Sequence, residues 1–469
     1  MAEAERFMTS LELVEVTKGR WLIEPSDDWR AKGVCVAPPW FKPGQLLVAR
    51  GDRPKGFLPD PSLKSLARRG AAGIVCERAR GLERLGVPLL QVQNVKRALL
   101  ALGKHARSIF AGRVIGITGS AGKTTMVSML AHSLESMGSV GATQGSANLP
   151  VGIAWNLVGM LQSSDYWVVE MAIGQMEANS DMVRPHVAIV ANVGPAHLEF
   201  HKTVEAIARK KARIFSAMEP GGTAVLCRDM EHYEIFVEGA RERCLGVVSY
   251  GCHPEADFVL RNYDRGAVTA AFSGTVLEFP MKAQGKHMAL NALGVMAAVQ
   301  LLEGDPRMLG QKIGDFCPVE GRGRVFEVVY HGKKVSVIDE SYNANPISVE
   351  SALSSFAQSP WLSESRVLVL GDMLELGEEA QYYHETLLPA VLKANPSRIL
   401  LCGPLMQSLW RKAKRSLSGH ETDVMWFGNV DDLALELGAW LRQGDVVLVK
   451  GSYATRVREI VALLREQSG

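Results

Sequence analysis

A chain of 469 residues is too long for one ordinary core and implies roughly two to four domains. Hydrophobic residues make up 47% and charged ones 22%, the profile of a globular, water-soluble protein. A formal net charge of +2 argues against a nucleic-acid partner, which calls for a basic patch or stripe, so any anion binding must be local.

The seven cysteines, at 35, 76, 227, 244, 252, 317 and 402, are scattered and form no CxxC pair. In a chain of this size they read as reduced thiols, not as a disulfide framework or zinc site. The first residues, MAEAERFMTSLELVEV, lack the basic-then-apolar pattern of a signal peptide. No apolar run reaches the roughly eighteen residues that a membrane span needs. A cytoplasmic monomer, not inserted in a membrane, is the expectation.

In chain order, the first segment, residues 1–112, carries apolar runs at 44–50 (GQLLVAR) and 71–77 (AAGIVCE) around a helical stretch at 63–70, a small α/β unit. At Arg113 the period changes. VIGIT reads as a buried strand, a glycine turn follows, and apolar helical spacing runs from Met126 to Leu134. Strands are predicted at 166–172, 186–193 and 222–227 with helices between them, which indicates a mostly parallel, doubly wound sheet in residues 113–324. After the glycine-rich GRGR at 321–324, the expected hinge, residues 325–469 repeat the alternation with strands at 334–340, 366–372, 398–403 and 445–451.

The turn Gly119-Ser120-Ala121-Gly122-Lys123-Thr124-Thr125 lies between strand and helix. Glycines there let successive N–H groups face one anion, and the helix N-terminus adds partial positive charge. Lys123 can reach terminal phosphates, and Thr124 or Thr125 can hold a magnesium ion. An ordinary glycine turn is the bland alternative, but strand, glycines, Lys-Thr and helix coincide. The loop implies ATP without choosing between kinase, ATPase and ligase.

The remaining motifs choose. GITGSAGKTT, EMAIGQMEAN (170–179), ANVGPAHLEFHKTVEAIARKKARIF (191–215), GKHMALNAL (285–293), GRGR (321–324), DESYNANPISVESAL (339–353), LGDMLELG (370–377) and VLVKGS (447–452) resemble, in order, those of the Mur ligases. SYNANP with GDMLELG resembles the MurF branch, the UDP-N-acetylmuramoyl-tripeptide–D-alanyl-D-alanine ligases. The resemblance implies a three-domain α/β architecture. Residues 1–112 would be an N-terminal domain for a UDP-sugar-type substrate, 113–324 a central P-loop ATPase domain, and 325–469 a Rossmann-like domain for the amine. It also implies an ADP-forming acid–amine ligase of peptidoglycan synthesis that uses ATP and Mg2+ and works through an acyl phosphate. Its partners would be a small-molecule or nucleotide-linked carboxylate and an amino acid or dipeptide.

Site residues follow from the same resemblance. Glu170, at a strand's carboxyl end where open α/β sheets place ligands, can bind metal, and His197 resembles the family's metal-binding histidine. Alone, either is more often a satisfied polar group at a strand end. A lysine carbamylated by carbon dioxide is expected at Lys211, with Lys210 one step away; the plain alternative is a solvated basic face. Asn291 resembles the asparagine that reads adenine, since an amide both donates to and accepts from a purine edge. Arg322, with Arg324 as competitor, resembles the arginine that reaches phosphate. Asn343, Asn345 and Pro346 resemble the segment near the nucleotide, and Lys450 a lysine facing the reacting centre.

The first segment departs from the family. Val36-Ala37-Pro38-Pro39 stands where relatives carry Thr-Asp-Ser-Arg, whose polar groups contact uridine, and Pro43-Gly44-Gln45 follows in place of Pro-Gly-Asp. Asp52-Arg53-Pro54-Lys55-Gly56-Phe57 lacks the usual Asp-Gly-His run. Ala172, Glu340 and Tyr453 replace a glycine, an aspartate and an arginine. A MurF-like ligase with other substrates outside cell-wall synthesis is therefore the second reading. A non-catalytic nucleotide-binding protein on the same scaffold is the third, disfavoured by Lys123, Glu170 and His197.

Overall fold

The computed structural model describes residues 8–50, 57–419 and 421–466, so the segment Asp52–Gly56 and the first seven residues of the leader reading lie outside the described residues. The chain forms two compact units. One comprises Met1–Ile117, Leu134–Ala188 and Arg213–Gly222; the other comprises Thr118–Ser133, Ile189–Ala212 and Thr223–Gly469.

In the first unit a five-stranded sheet runs in the order Arg20–Ile23, Leu89–Gln91, Gly73–Cys76, Leu46–Val48, Val34–Cys35. Only its first pair is antiparallel. Leu47, Ile74, Leu63 and Leu89 close one core against this sheet. The same unit holds parallel pairs of Arg113–Thr118 and of Val140–Ala142 with Tyr166–Glu170. The apolar run VIGIT is buried throughout, as parallel strands covered on both faces require. Register sets Glu170 opposite Ile117.

The second unit carries a run from Thr223–Cys227 through Gly246–Gly251 to Phe258–Asp264, parallel, and then two antiparallel strands, Ala267–Phe272 and Thr275–Pro280. The expected parallel character thus ends in an antiparallel meander, turned at Arg265-Gly266 and Ser273-Gly274, where all four residues have positive φ. A six-stranded sheet in the same unit has the order Arg324–Tyr330, Lys333–Glu340, Val446–Lys450, Arg366–Gly371, Arg398–Cys402, Asp423–Phe427. Only its first pair is antiparallel. Val337, Val369, Leu400 and Val449 fill its core against Leu433, Leu437 and Ile460 of the covering helices.

Helices return the chain between the parallel strands, so residues ending those strands gather at one edge of each sheet. Glu170, Glu340 and Lys450 are each the last residue of a strand. Among the described residues no helix is long and apolar enough to cross a membrane. All seven cysteines are free thiols.

Candidate active site

The turn after Arg113–Thr118 is held from outside itself. The Ser120 hydroxyl donates to the Gly194 carbonyl and accepts from the Gly194 N–H, both at 3.1 Å. Ala121 N donates to Asn192 Oδ1 at 2.8 Å, and Asn192 Nδ2 donates back to the Ala121 carbonyl at 3.1 Å. Helix Lys123–Leu134 begins at once, so its first N–H groups face the turn. Gly122 has φ +76°, and a Cβ there would meet the Asn291 amide at 3.4 Å, so glycine serves both the turn and the close approach. Asn291 itself is only 7% exposed, on helix Lys286–Leu301. Lys123 Nζ donates to the Gly119 carbonyl at 2.9 Å, arched over its own loop.

Residues distant in sequence close on this loop. Asn345 Nδ2 donates to the Ser120 carbonyl at 3.0 Å. Arg322 Nη2 donates to Thr124 Oγ1 at 3.1 Å, while its guanidinium lies 4.0 Å over the Tyr342 ring. Arg324 instead reaches Glu320 at an exposed site. Asn343 supports the next element: its carbonyl accepts from Lys450 Nζ at 3.0 Å and its Oδ1 from Tyr453 N at 3.4 Å.

Lys450 and Glu340 are register partners on adjacent strands, and their side chains pair at 3.3 Å. Lys450 is 3% exposed. Burial draws its ammonium below the ordinary lysine value, Glu340 pulls it back up, and the Arg322 charge pushes it down.

His197, with φ 59°, precedes the short helix Leu198–His201. Its Nδ1 pairs with the Glu375 carboxylate, which that hydrogen bond holds below the ordinary carboxylate range. Further along, helix Val204–Ala212 turns Lys211 inward to 1% exposure, whereas Lys210 stays half-buried. In the first unit, Glu170 is 3% exposed and accepts from Asn148 Nδ2 at 2.6 Å.

The altered first segment lines a cavity of about 400 Å³ within the first unit. Trp40 and Trp155 stand on its wall with ring centroids 5.7 Å apart, and Trp155 is fixed by donating to the Val34 carbonyl at 2.9 Å. Lys42, Gln45 and Gln144 supply polar groups.

Sequence reasoning missed Asn192, Asn148 and Glu375. Asn192 and Glu375 lay inside quoted motifs, and a polar residue at a strand end or in a tight loop was the available signal. No pattern announced that Glu375 would meet a residue 178 positions away.

Residues 117–299 match the Mur ligase middle domain, and residues 323–453 match the Mur ligase, glutamate ligase domain. A UDP-N-acetylmuramoyl-tripeptide–D-alanyl-D-alanine ligase of Mycobacterium bovis is 30% identical over 463 residues, covering 88% of each chain. Among solved structures, MurF from Acinetobacter baumannii has a TM-score of 0.81 at 22% identity, covering 97% of this chain and 98% of that one. MurF ligase from Thermotoga maritima, in complex with ADP, has a TM-score of 0.74 at 23% identity, covering 94% and 99%. The two structures share the fold, and the Mycobacterium relative extends the likeness through the sequence of nearly the whole chain. The chain belongs to the Mur ligase family, in its MurF branch.

Proposed function

We propose that this chain is an ATP-dependent, ADP-forming ligase that adds D-alanyl-D-alanine to UDP-N-acetylmuramoyl-tripeptide in peptidoglycan synthesis. The observation that carries the reading is the 30% identity to an enzyme of that name over 88% of both chains. The three domains, 1–112, 113–324 and 325–469, take the nucleotide-linked carboxylate, ATP and the dipeptide. The protein works as a cytoplasmic monomer.

In this reading a carboxylate oxygen of the tripeptide attacks the γ-phosphorus of ATP, and ADP leaves. The dipeptide amine then attacks the acyl carbon, inorganic phosphate departs, and the nitrogen gives up a proton as the amide forms. Positioning and electrostatics carry most of such a transfer. Loop N–H groups and Lys123 grip the phosphates, and Arg322, anchored on Thr124, adds positive charge beside them. Asn291 reads the adenine edge. Asn343 and Asn345 brace the loop and Lys450, which faces the reacting centre. Closure over the site excludes water, which would otherwise hydrolyse the acyl phosphate.

Among the described residues no three His, Cys, Asp or Glu side chains form a ready-made metal cage. Magnesium takes mainly oxygen donors and commonly relies on substrate phosphates for several of them. Thr124, His197 and a carbamylated Lys211 would hold it, and Glu170 is a carboxylate of the kind that binds it. When bound it neutralises charge on the transferring phosphoryl group. Lys211, which is buried where Lys210 is half-buried, is the position for carbamylation: its amine, having given up its proton, adds carbon dioxide and becomes an anion fit for a cation.

The departure at Val36-Ala37-Pro38-Pro39 changes how the substrate is gripped and leaves the reaction class alone. The cavity of Trp40 and Trp155, with Lys42 beside it, offers an aromatic face and a cation to the nucleotide end. The decisive test is phosphate release from purified protein with ATP and magnesium. Release that requires both UDP-N-acetylmuramoyl-tripeptide and D-alanyl-D-alanine is expected. Release only with other acid–amine pairs would replace the substrates, and none with any pair would end the ligase reading.

A further inference from the structure

The loop following strand Arg366–Gly371 is tied on three sides. Leu374 N donates to Ser452 Oγ at 2.9 Å, and Ser452 N donates to the Asp372 carbonyl at 3.0 Å. Met373 N donates to Nε2 of the buried His384 at 2.9 Å, whose Nδ1 lies 2.6 Å from the Ala380 carbonyl. Ser452 Oγ also donates to the Ala344 carbonyl at 3.2 Å, one residue before Asn345. The loop is thus built on the frame that carries Lys450 and Asn345.

From this frame Glu375 projects with φ 62°, a left-handed conformation that a side chain rarely adopts. Its carboxylate meets His197 Nδ1, and its carbonyl accepts from Glu199 N at 3.2 Å. Gly377 has φ +62°, and a Cβ there would come within 3.2 Å of Glu199 Cα, so a glycine permits the seat. His197 is also left-handed. Two strained backbones facing each other at one hydrogen bond mark a junction held by its surroundings.

We propose that Glu375 is a positioning residue for His197. By engaging Nδ1 it fixes the ring and its tautomer, with the proton on Nδ1 and the Nε2 lone pair directed to the metal-nucleotide. The proposal rests on His197 as a metal-holding residue in the proposed function. A carboxylate behind a ligating histidine sets the ring orientation and raises its basicity. Here that carboxylate comes from the loop after Arg366–Gly371, which Ser452 ties to the strand bearing Lys450 and to the Ala344 carbonyl beside Asn345. Asn345 in turn reaches Ser120, and Ser120 bonds Gly194, three residues before His197. Seating the amine-side segment therefore completes two supports at once, one under the phosphate loop and one behind His197.

The bland alternative is a half-exposed ion pair of little consequence, with side chains 36% and 49% exposed. The two differ in what they do to the metal. Mn2+ is titrated by electron paramagnetic resonance into the full-length protein with ADP, without carboxylate or dipeptide substrate. Glu375→Ala is expected to weaken Mn2+ binding about tenfold, and Glu375→Gln, which still accepts from Nδ1–H, by less. Melting temperatures should stay close to the wild type, and should Ala unfold the chain, Gln carries the comparison. Unchanged Mn2+ affinity in both variants overturns the proposal. So does 15N NMR showing His197 protonated on Nε2 alone. A wild-type protein that takes no Mn2+ with ADP would sink the metal role of His197 itself, whereas failure to ligate D-alanyl-D-alanine would leave this measurement standing.

Discussion

The Asn345 side chain spans 225 residues of sequence to donate from Nδ2 to the Ser120 carbonyl, while its Oδ1 accepts from Ser348 N and caps helix Pro346–Ala357. One amide does two jobs, and they can be separated. Asn345→Asp keeps the cap, because aspartate caps as well as asparagine, but loses the donor. A lost hydrogen bond of about 1.4 kcal/mol predicts roughly a tenfold rise in the KM for ATP, with the cap's share of stability kept. Asn345→Ala should show that rise plus a loss of about 1 kcal/mol in urea unfolding. An Asp variant with wild-type KM would remove the bond from the nucleotide argument.

Lys123→Ala should abolish ligation and leave the fold intact. The side chain packs over its own turn through the Gly119 carbonyl and contributes no core volume. Circular dichroism and the melting curve should match the wild type while phosphate release falls to background. Full activity in the variant would remove the phosphate-loop assignment.

Lys211→Ala removes the side chain that helix Val204–Ala212 turns inward. If that side chain works as a carbamate, activity should vanish and partly return with a short-chain carboxylate added at high concentration. Lys210→Ala should lose little, because that residue stays half-buried. Loss without rescue would make Lys211 a structural lysine, and no loss would exclude it from the site.

Much of this architecture was legible from residues alone. Strands such as RVLVLG and VVLVK are buried apolar runs with a charged residue only at one end, and such runs declare themselves. The meander Phe258–Pro280 did not, since FVLRNYD and TVLEFP mix charge with apolar residues and are half-covered. The glycine turn at 119–125 could be placed between its strand and helix because glycine geometry is local. The pairing of His197 with Glu375, and of Asn192 with Ala121, could not be, because contacts between remote segments have no local spacing to betray them. The resemblance pointed to Lys211 with Lys210 one step away, and the helix phase is what turns Lys211 inward. Arg322 parted from Arg324 for a similar reason: adjacent glycines Gly321 and Gly323, at φ +73° and +101°, redirect the chain between them.

Acidification should destabilise the first unit through His186. Val114 N donates to its Nδ1 at 2.9 Å, and His186 N donates back to the Val114 carbonyl at 2.8 Å, which ties it to the strand leading to the phosphate loop. Burial lowers its pKa below 6.5, and the charges of Arg107 and Arg113 lower it further. Because the unfolded chain binds the proton more readily, this contribution is full above pH 6.5 and is lost as pH falls toward the folded value. The melting temperature should therefore drop between about pH 7 and pH 5.5, where an unperturbed histidine titrates. His186→Gln, which can still accept from Val114 N, should flatten that slope. An equal slope in the variant would assign the effect to other histidines, such as half-buried His287 and buried His384, whose pKa values desolvation also lowers.

Arg398 and Asp445 form a two-pronged pair at 2.7 and 2.8 Å inside the six-stranded sheet's unit, each side chain 2% exposed. Asp445 also accepts from Arg442 N at 2.6 Å, and Arg398 donates to the Trp440 carbonyl at 2.8 Å. Both charges have left water, so each depends on the other. Asp445→Ala strands a guanidinium and should cost about 3–5 kcal/mol in urea unfolding. Replacing both, as Arg398→Met with Asp445→Leu, removes the uncompensated charge and should recover most of that loss. The double-mutant cycle separates attraction from desolvation: a large single-variant loss with a near-neutral double variant means the pair specifies the fold more than it stabilises it. Equal losses in the single and double variants would instead make the pair a true source of stability. Either way, kcat in whatever fraction remains folded should hold, because the pair ties the starts of strands Arg398–Cys402 and Val446–Lys450, and Lys450 lies at the far end of the second.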